Sequence, residues 1–131
     1  MMIKYKNRIK QVLDFTGVGN SKIHPSDIDA ILEFDNKYLI IFEVKLKGVQ
    51  VPLGQKLLFE RIADCWQKTN GEAFIVYCEH ETDTSEIVNM ANTTVKKVYN
   101  KKKNFARNQN IREFLQILAE HYNINKLKKA L

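Results

Sequence analysis

The chain has 131 residues, 44% of them hydrophobic and 27% charged, and a net charge of +6. That composition suits one globular domain with a real core and excludes a low-complexity or disulfide-framed chain. No apolar run approaches the roughly 18 residues of a membrane span, and the basic start M-M-I-K-Y-K-N-R-I-K has no apolar stretch behind it to make a secretory signal, so a cytoplasmic protein is expected.

The charge is uneven. Residues 1–95 hold 11 Lys and Arg against 13 Asp and Glu, whereas residues 96–131 hold 10 against 2. A solvated, solubilising tail would explain the second block by itself. Beside a cluster of acids it also suits a polyanion, the lysines holding phosphates and the acids a metal. Residues from about 96 onward are accordingly read as a basic C-terminal extension of a single domain spanning 1–131. Cys65 and Cys78 make no C-x-x-C pair and have no paired histidines. They read as reduced thiols of the core rather than zinc ligands.

In chain order, Ile3, Ile9, Val12 and Leu13 recur at loosely helical steps and predict a short amphipathic helix over Ile3–Leu13. Phe15–Ile23 contains Gly17 and Gly19 and predicts a turn or short edge strand, then a loop in which Ser21 and Lys22 can touch a phosphate. G-V-G-N-S-K does not satisfy the P-loop pattern. His24 reads as a turn residue.

From Pro25 to Lys47 come two apolar runs, Ile28–Phe34 and Tyr38–Leu46, split by Asp35-Asn36-Lys37. This is the pattern of a β-hairpin. Its strands carry Asp27 and Asp29 on one side and Glu43 and Lys45 on the other, groups seldom buried without a partner or metal. Side chains alternate along a strand, so Asp27 and Asp29 share a face, as do Glu43 and Lys45. A two-residue loop pairs Asp29 with Phe42 and points the acids apart. A three-residue loop pairs Phe34 with Tyr38, Asp29 with Glu43 and Asp27 with Lys45; Asn36 tolerates the left-handed backbone this needs. Two facing carboxylates suit Mg²⁺, which takes one or two carboxylates plus phosphate oxygens. A lysine two residues beyond the second acid can orient a water or neutralise a phosphate under attack.

Asp29, thirteen intervening residues, then Glu43-Val44-Lys45 resembles the D-(x)n-E-x-K signature of the PD-(D/E)XK, or restriction-endonuclease-like, nuclease superfamily. The flank Gly17–Ile31, with L-I-I-F-E-V-K after it, is similar to the active-site region of archaeal-type Holliday-junction resolvases. L-G-Q-K-L-L (Leu53–Leu58) resembles the helix with a leading glutamine in virus-type replication-repair nucleases. The likeness covers roughly residues 3–79. It implies that Asp29 and Glu43 bind Mg²⁺ (Mn²⁺ substituting), that Lys45 is catalytic, and that Gln55 orients the metal's water shell or the substrate. Asp27 rivals Asp29 as ligand, since Pro25-Ser26-Asp27 is nearer a literal "PD". Such resolvases carry a glutamate in the first helix; Ile3–Leu13 has none, and Asp14 is the nearest acid.

Further along, Gly48–Pro52 connects to a helix predicted over Leu53–Asn70, with Leu53, Leu57, Leu58, Ile62, Cys65 and Trp66 as its inward stripe. Gln55 and Lys56 fall in its first turn, which favours anions. Ala73–Cys78 reads as a buried strand parallel to the second hairpin strand, since strand, helix, strand is a crossover. Glu79–Asp83 leads to a helix capped by Asp83 with Glu86 three later and running through Ile87, Val88 and Met90. Thr93–Tyr99 reads as an outer strand protected by its lysines. Lys101, Lys102, Lys103, Phe105 and Arg107 form a mobile basic loop. Asn110 and Glu113 open a last helix with the apolar stripe Ile111, Phe114, Leu115, Leu118 and Tyr122, before a basic tail of Lys126, Lys128 and Lys129.

The expectation is an α/β domain, a central mixed β-sheet flanked by helices and restriction-endonuclease-like. It would act as a Mg²⁺-dependent endonuclease on DNA, structure-selective and resolvase-like because no separate sequence-reading module is visible. Nucleic-acid contacts would come from Ser21, Lys22, Lys47, Lys56, Lys101, Lys102, Lys103 and Arg107. A homodimer follows from the resemblance alone, and small size suggests a phage or mobile-element origin. The alternatives are an end-processing or flap-nicking nuclease, and a binding module that keeps the fold without catalysis.

Overall fold

A computed structural model describes residues 14, 16–19, 22 and 25–131. The helix expected over Ile3–Leu13, the roles given to Ser21 and His24, and most of the expected Phe15–Ile23 segment lie outside these residues.

The hairpin forms as β1 (Ala30–Phe34) and β2 (Tyr38–Leu46), followed by α1 (Leu53–Gln67) and β3 (Glu72–His80). Then come β4 (Thr94–Asn100), β5 (Lys103–Asn110), α2 (Ile111–His121) and α3 (Asn125–Ala130). The five strands lie in sequence order in one sheet, β2 and β3 parallel and the other pairs antiparallel. A parallel pair requires a crossover, and α1 supplies it.

The pleat divides the sheet into two faces. Even-numbered residues of β2 and β3 (Tyr38, Ile40, Phe42, Phe74, Val76, Cys78) pack with Ile111, Phe114, Leu115, Leu118 and Ala119 of α2 and Leu127 of α3. Odd-numbered residues (Leu39, Ile41, Ala73, Ile75, Tyr77) meet Phe59 and Ala63 of α1. The result is a mixed sheet with helices on both sides, as expected. The stripe of α2 is the one its spacing predicts, and Asn110 caps it by accepting from the Arg112 N–H at 2.8 Å.

Four expectations are corrected. Of the expected inward stripe of α1, Ile62 and Trp66 pack against the core, but the stripe is centred on Phe59 and Ala63, both fully buried, while Leu53, Leu57, Leu58 and Cys65 are exposed. Spacing alone fits either stripe, because both repeat at three and four residues. No α-helix forms over Asp83–Met90; only a single 3-10 turn follows at Met90–Asn92. Asp83 Oδ1 accepts from the Ser85 N–H and Oγ–H at 2.9 and 2.8 Å, a local turn, and Ile87 and Val88 stay exposed with no apolar surface to cover. Thr93–Tyr99 is not the outer strand, since Lys103–Asn110 pairs outside it as β5 in place of the expected loop. The basic tail is α3, pinned by buried Leu127, so residues 96–131 are built into the sheet and its α2 face rather than appended.

β4 carries a bulge. Tyr77 pairs with Lys97 and the next β3 residue, Cys78, with Val95, leaving Lys96 as the extra residue. The side chains on either side of a bulge change alternation, so Val95 and Val98 both reach the α2 face while Lys97 shares the α1 face with Tyr77.

Gly71 marks a close approach. A Cβ there would run into the Trp66 indole and sit 2.9 Å from the Lys37 carbonyl oxygen, to which Trp66 Nε1 donates at 2.9 Å. Gly71→Ala is expected to cost about 1–3 kcal/mol through this overpacking, measured as a lower urea midpoint with an unchanged slope.

Candidate functional site

The hairpin loop is the three-residue one. Phe34 pairs with Tyr38 and Ala30 with Phe42, with Asp35 and Asn36 both left-handed (φ 59° and 55°). Asp29, one step before β1, therefore lies level with Glu43. Its Oδ2 accepts from the Val44 N–H at 2.7 Å, which fixes the carboxylate against β2. Lys45, two residues along, reaches back to place Nζ 2.9 Å from Glu43 Oε1.

Asp27, Asp29, Glu43, Lys45, Lys22 and Gln55 line one cleft of about 730 Å³. Gln55 gets there because it stands one turn before Phe59 on the inward side of α1 (i, i+4). Its Nε2 donates to the Asp27 backbone carbonyl at 3.0 Å, so in this structure it ties α1 to the segment entering β1. Asp14 is engaged elsewhere: Oδ1 accepts from the Thr16 N–H and hydroxyl at 2.9 and 2.7 Å, which holds its carboxyl below the ordinary range.

Glu43 is 1% exposed. Oε1 has an ion-pair contact with Lys45, Oε2 has none, and neither oxygen accepts a well-aligned hydrogen bond from the described residues. Burial pushes the carboxyl above its ordinary value; Lys45 pulls it back, and the neighbouring Asp29 charge pushes it further up. A buried carboxylate compensated on one oxygen only is costly, and a second negative charge beside it adds to the cost. A divalent cation between Asp29 and Glu43 would remove both penalties. Two carboxylates with remaining positions for water and phosphate oxygens is a Mg²⁺ donor set. Among the described residues no group of three or more His, Cys, Asp or Glu side chains is assembled for a metal. The residues present thus fit Mg²⁺ held partly by water, not an all-protein cage.

The expected phosphate-binding residues divide. Lys22 is in the cleft wall, and Lys56 is close by in the first turn of α1. Exposed Lys47 pairs with Glu81 at 3.0 Å. Lys101 pairs with Glu72 at 3.0 Å; with Lys102 and Lys103 it forms the β4–β5 turn, at the end of the sheet where β2 and β3 begin. At about 3.3 Å per residue, five residues separate that turn from the level of Glu43 by roughly 17 Å. Arg107 lines a depression on the α2 face with Phe114 and Tyr122. These five cations are not part of the acidic cleft. What the sequence reading missed is the row Glu43, Tyr77, Lys97, neighbours across β2, β3 and β4 on one face. In sequence the lysines of β4 suit the protection of an outer edge. Only strand order reveals that they stand beside the acids.

A carboxyl with a raised folded pKa keeps its proton in the folded chain at pH values where the unfolded chain has released it. Its stabilising contribution is complete below the ordinary value of 4.5 and is lost as pH rises through the raised value. In EDTA, the melting temperature of the wild type is expected to fall from pH 4.5 toward neutrality. Glu43→Gln should show a flatter profile in the same calorimetric series.

No protein-family model, curated protein or solved structure matches the chain.

Proposed function

We propose that this protein is a Mg²⁺-dependent endonuclease that hydrolyses phosphodiester bonds of DNA. The observation that carries the reading is the convergence of Asp29, Glu43 and Lys45 in one cleft, with the buried Glu43 carboxylate compensated on one oxygen only. Asp29 and Glu43 would hold the ion, and Asp27 lines the same cleft. When bound, the cation supplies Lewis-acid stabilisation of charge developing on a phosphoryl oxygen.

The chain's own residues supply the rest. Lys45 is half-buried on the same face as Glu43, so its ammonium can swing between that carboxylate and a water or phosphate oxygen in the cleft. Lys22, in the cleft wall, and Lys56, in the first turn of α1, offer positive charge to flanking phosphates. Gln55 fixes the wall that carries Asp27 and Asp29. Selectivity for branched DNA, and action as a homodimer, rest on the resemblance of residues 17–31 and 39–45 to archaeal-type resolvases. Among the described residues no helix is long and apolar enough to cross a membrane.

The test is incubation of purified protein with linear duplex, flap and four-way-junction DNA, in Mg²⁺ or EDTA. Junction-selective cuts that require Mg²⁺ are expected. Lys45→Ala should bind the junction nearly as tightly as wild type while cleaving at least about 100-fold more slowly. Equal cleavage by the two proteins sinks the catalytic assignment. Junction binding without cleavage, unaffected by Glu43→Ala, would mark a binding module instead. In the absence of DNA, Mg²⁺ is expected to raise the wild-type melting temperature but not that of Glu43→Gln.

A further inference from the structure

Beside the acidic cleft, and sharing Glu43 and Lys45 with it, lies a second cleft of about 390 Å³. Its walls are the first turn of α1, the outgoing end of β3 and the bulge of β4. Lys56, Lys96, Lys97 and Tyr77 line it, with Glu79 as the opposing acid beyond the Lys45-paired Glu43.

Three features make this a built site. The bulge leaves Lys96 and Lys97 adjacent on the same cleft wall, where regular alternation would send one of them to the α2 face. Lys96 donates to Asn108 Oδ1 at 2.9 Å. Half-buried Lys97 lies 4.5 Å from the Tyr77 ring centroid and close to Lys56 on α1. Burial first, and then the Lys56 charge, holds its ammonium below the ordinary lysine range, with only a small opposite pull from Glu60. Two converging ammonium groups favour an anion between them. The third feature is the Tyr77 hydroxyl. Tyr77 is 7% exposed, lines the cleft, and its hydroxyl has no hydrogen-bond partner among the described residues. A buried hydroxyl without a partner costs free energy, and a phosphate oxygen would satisfy it as an acceptor.

We propose that this second cleft binds a backbone phosphate of the nucleic acid next to the one held at Asp29 and Glu43, through Lys56, Lys97 and the Tyr77 hydroxyl. The proposal rests on the nuclease reading for the identity of the phosphate's owner, but not for the anion site itself. The spacing is suitable: Tyr77 is one strand and Lys97 two strands from Glu43, about 5 and 10 Å across the sheet. A strand lying over the carboxyl ends of β2 and β3 would pass from one cleft to the other.

The full-length protein is titrated onto a fluorescein-labelled four-way junction in Ca²⁺ at graded salt. Its melting temperature is also followed in inorganic phosphate against chloride of equal ionic strength. Each of Lys56→Ala and Lys97→Ala is expected to reduce the slope of log K against log salt by about one, and Lys97→Arg to restore it. Tyr77→Phe, which changes no charge and leaves no partner unpaired in the free protein, should weaken junction binding about threefold without lowering the melting temperature. Phosphate should raise the wild-type melting temperature more than that of the Lys56→Ala/Lys97→Ala double variant. Unchanged slopes together with equal phosphate shifts overturn the proposal. A wild type that never cleaves overturns the nuclease reading alone, because loss of the phosphate shift in the double variant still upholds the anion site.

Discussion

One buried charge governs this structure. Glu43 stands in a strand whose other residues, Lys45 excepted, are apolar or aromatic, and it is removed from water, with a single lysine contact and an aspartate beside it. No hydrophobic packing motive places a carboxylate there, and its desolvation works against stability. Every neighbouring feature bears on that cost: Lys45 on one oxygen, Asp29 held by the Val44 N–H, and a cleft open to solvent on the remaining side. A divalent cation bound between Asp29 and Glu43, as proposed, would turn that penalty into affinity.

The two faces of the sheet serve this end differently. The α2 face is apolar along its length, and α2 and α3 close it. The α1 face is apolar only where Phe59 and Ala63 press on Leu39, Ile41, Ala73 and Ile75. Beyond that patch the same face continues as Glu43, Lys45, Tyr77, Glu79 and Lys97. Since α1 begins at the charged end, its first turn overhangs the polar row and brings Gln55 and Lys56 to the two clefts. Stability and chemistry thus share a face but occupy opposite halves of it.

The basic residues show the same division. The excess positive charge of residues 96–131 is one block in the sequence, but its lysines fall in three places in the fold, with Arg107 on β5 and Arg112 on α2. Lys96 and Lys97 stand beside the acids, Lys101–Lys103 turn at the far end of the sheet, and Lys126, Lys128 and Lys129 lie on α3. Of these, only the β4 pair is within one or two strands of Glu43. Surface pairs such as Lys126 with Asp35, 3.2 Å apart, add little to stability.

The hairpin and the shared faces of Asp27 with Asp29 and of Glu43 with Lys45 were legible in the sequence, because strand alternation is a local rule acting over a few residues; the three-residue loop that brings Asp29 level with Glu43 was decided only by the strand register. Also legible were the crossover helix, the parallel return of β3 and the apolar stripe of α2. The stripe of α1 was not, since two stripes fit its spacing and only contact with the sheet chooses Phe59 and Ala63. Nor was β5, whose mostly exposed, polar residues carry no apolar alternation and become a strand through pairing with β4. Tyr77 and Lys97 join Glu43 only once strands distant in sequence are laid side by side and a bulge sets which way the lysine points. Local periodicity determined what each segment could form; long-range pairing, which no short window contains, decided which charges would meet.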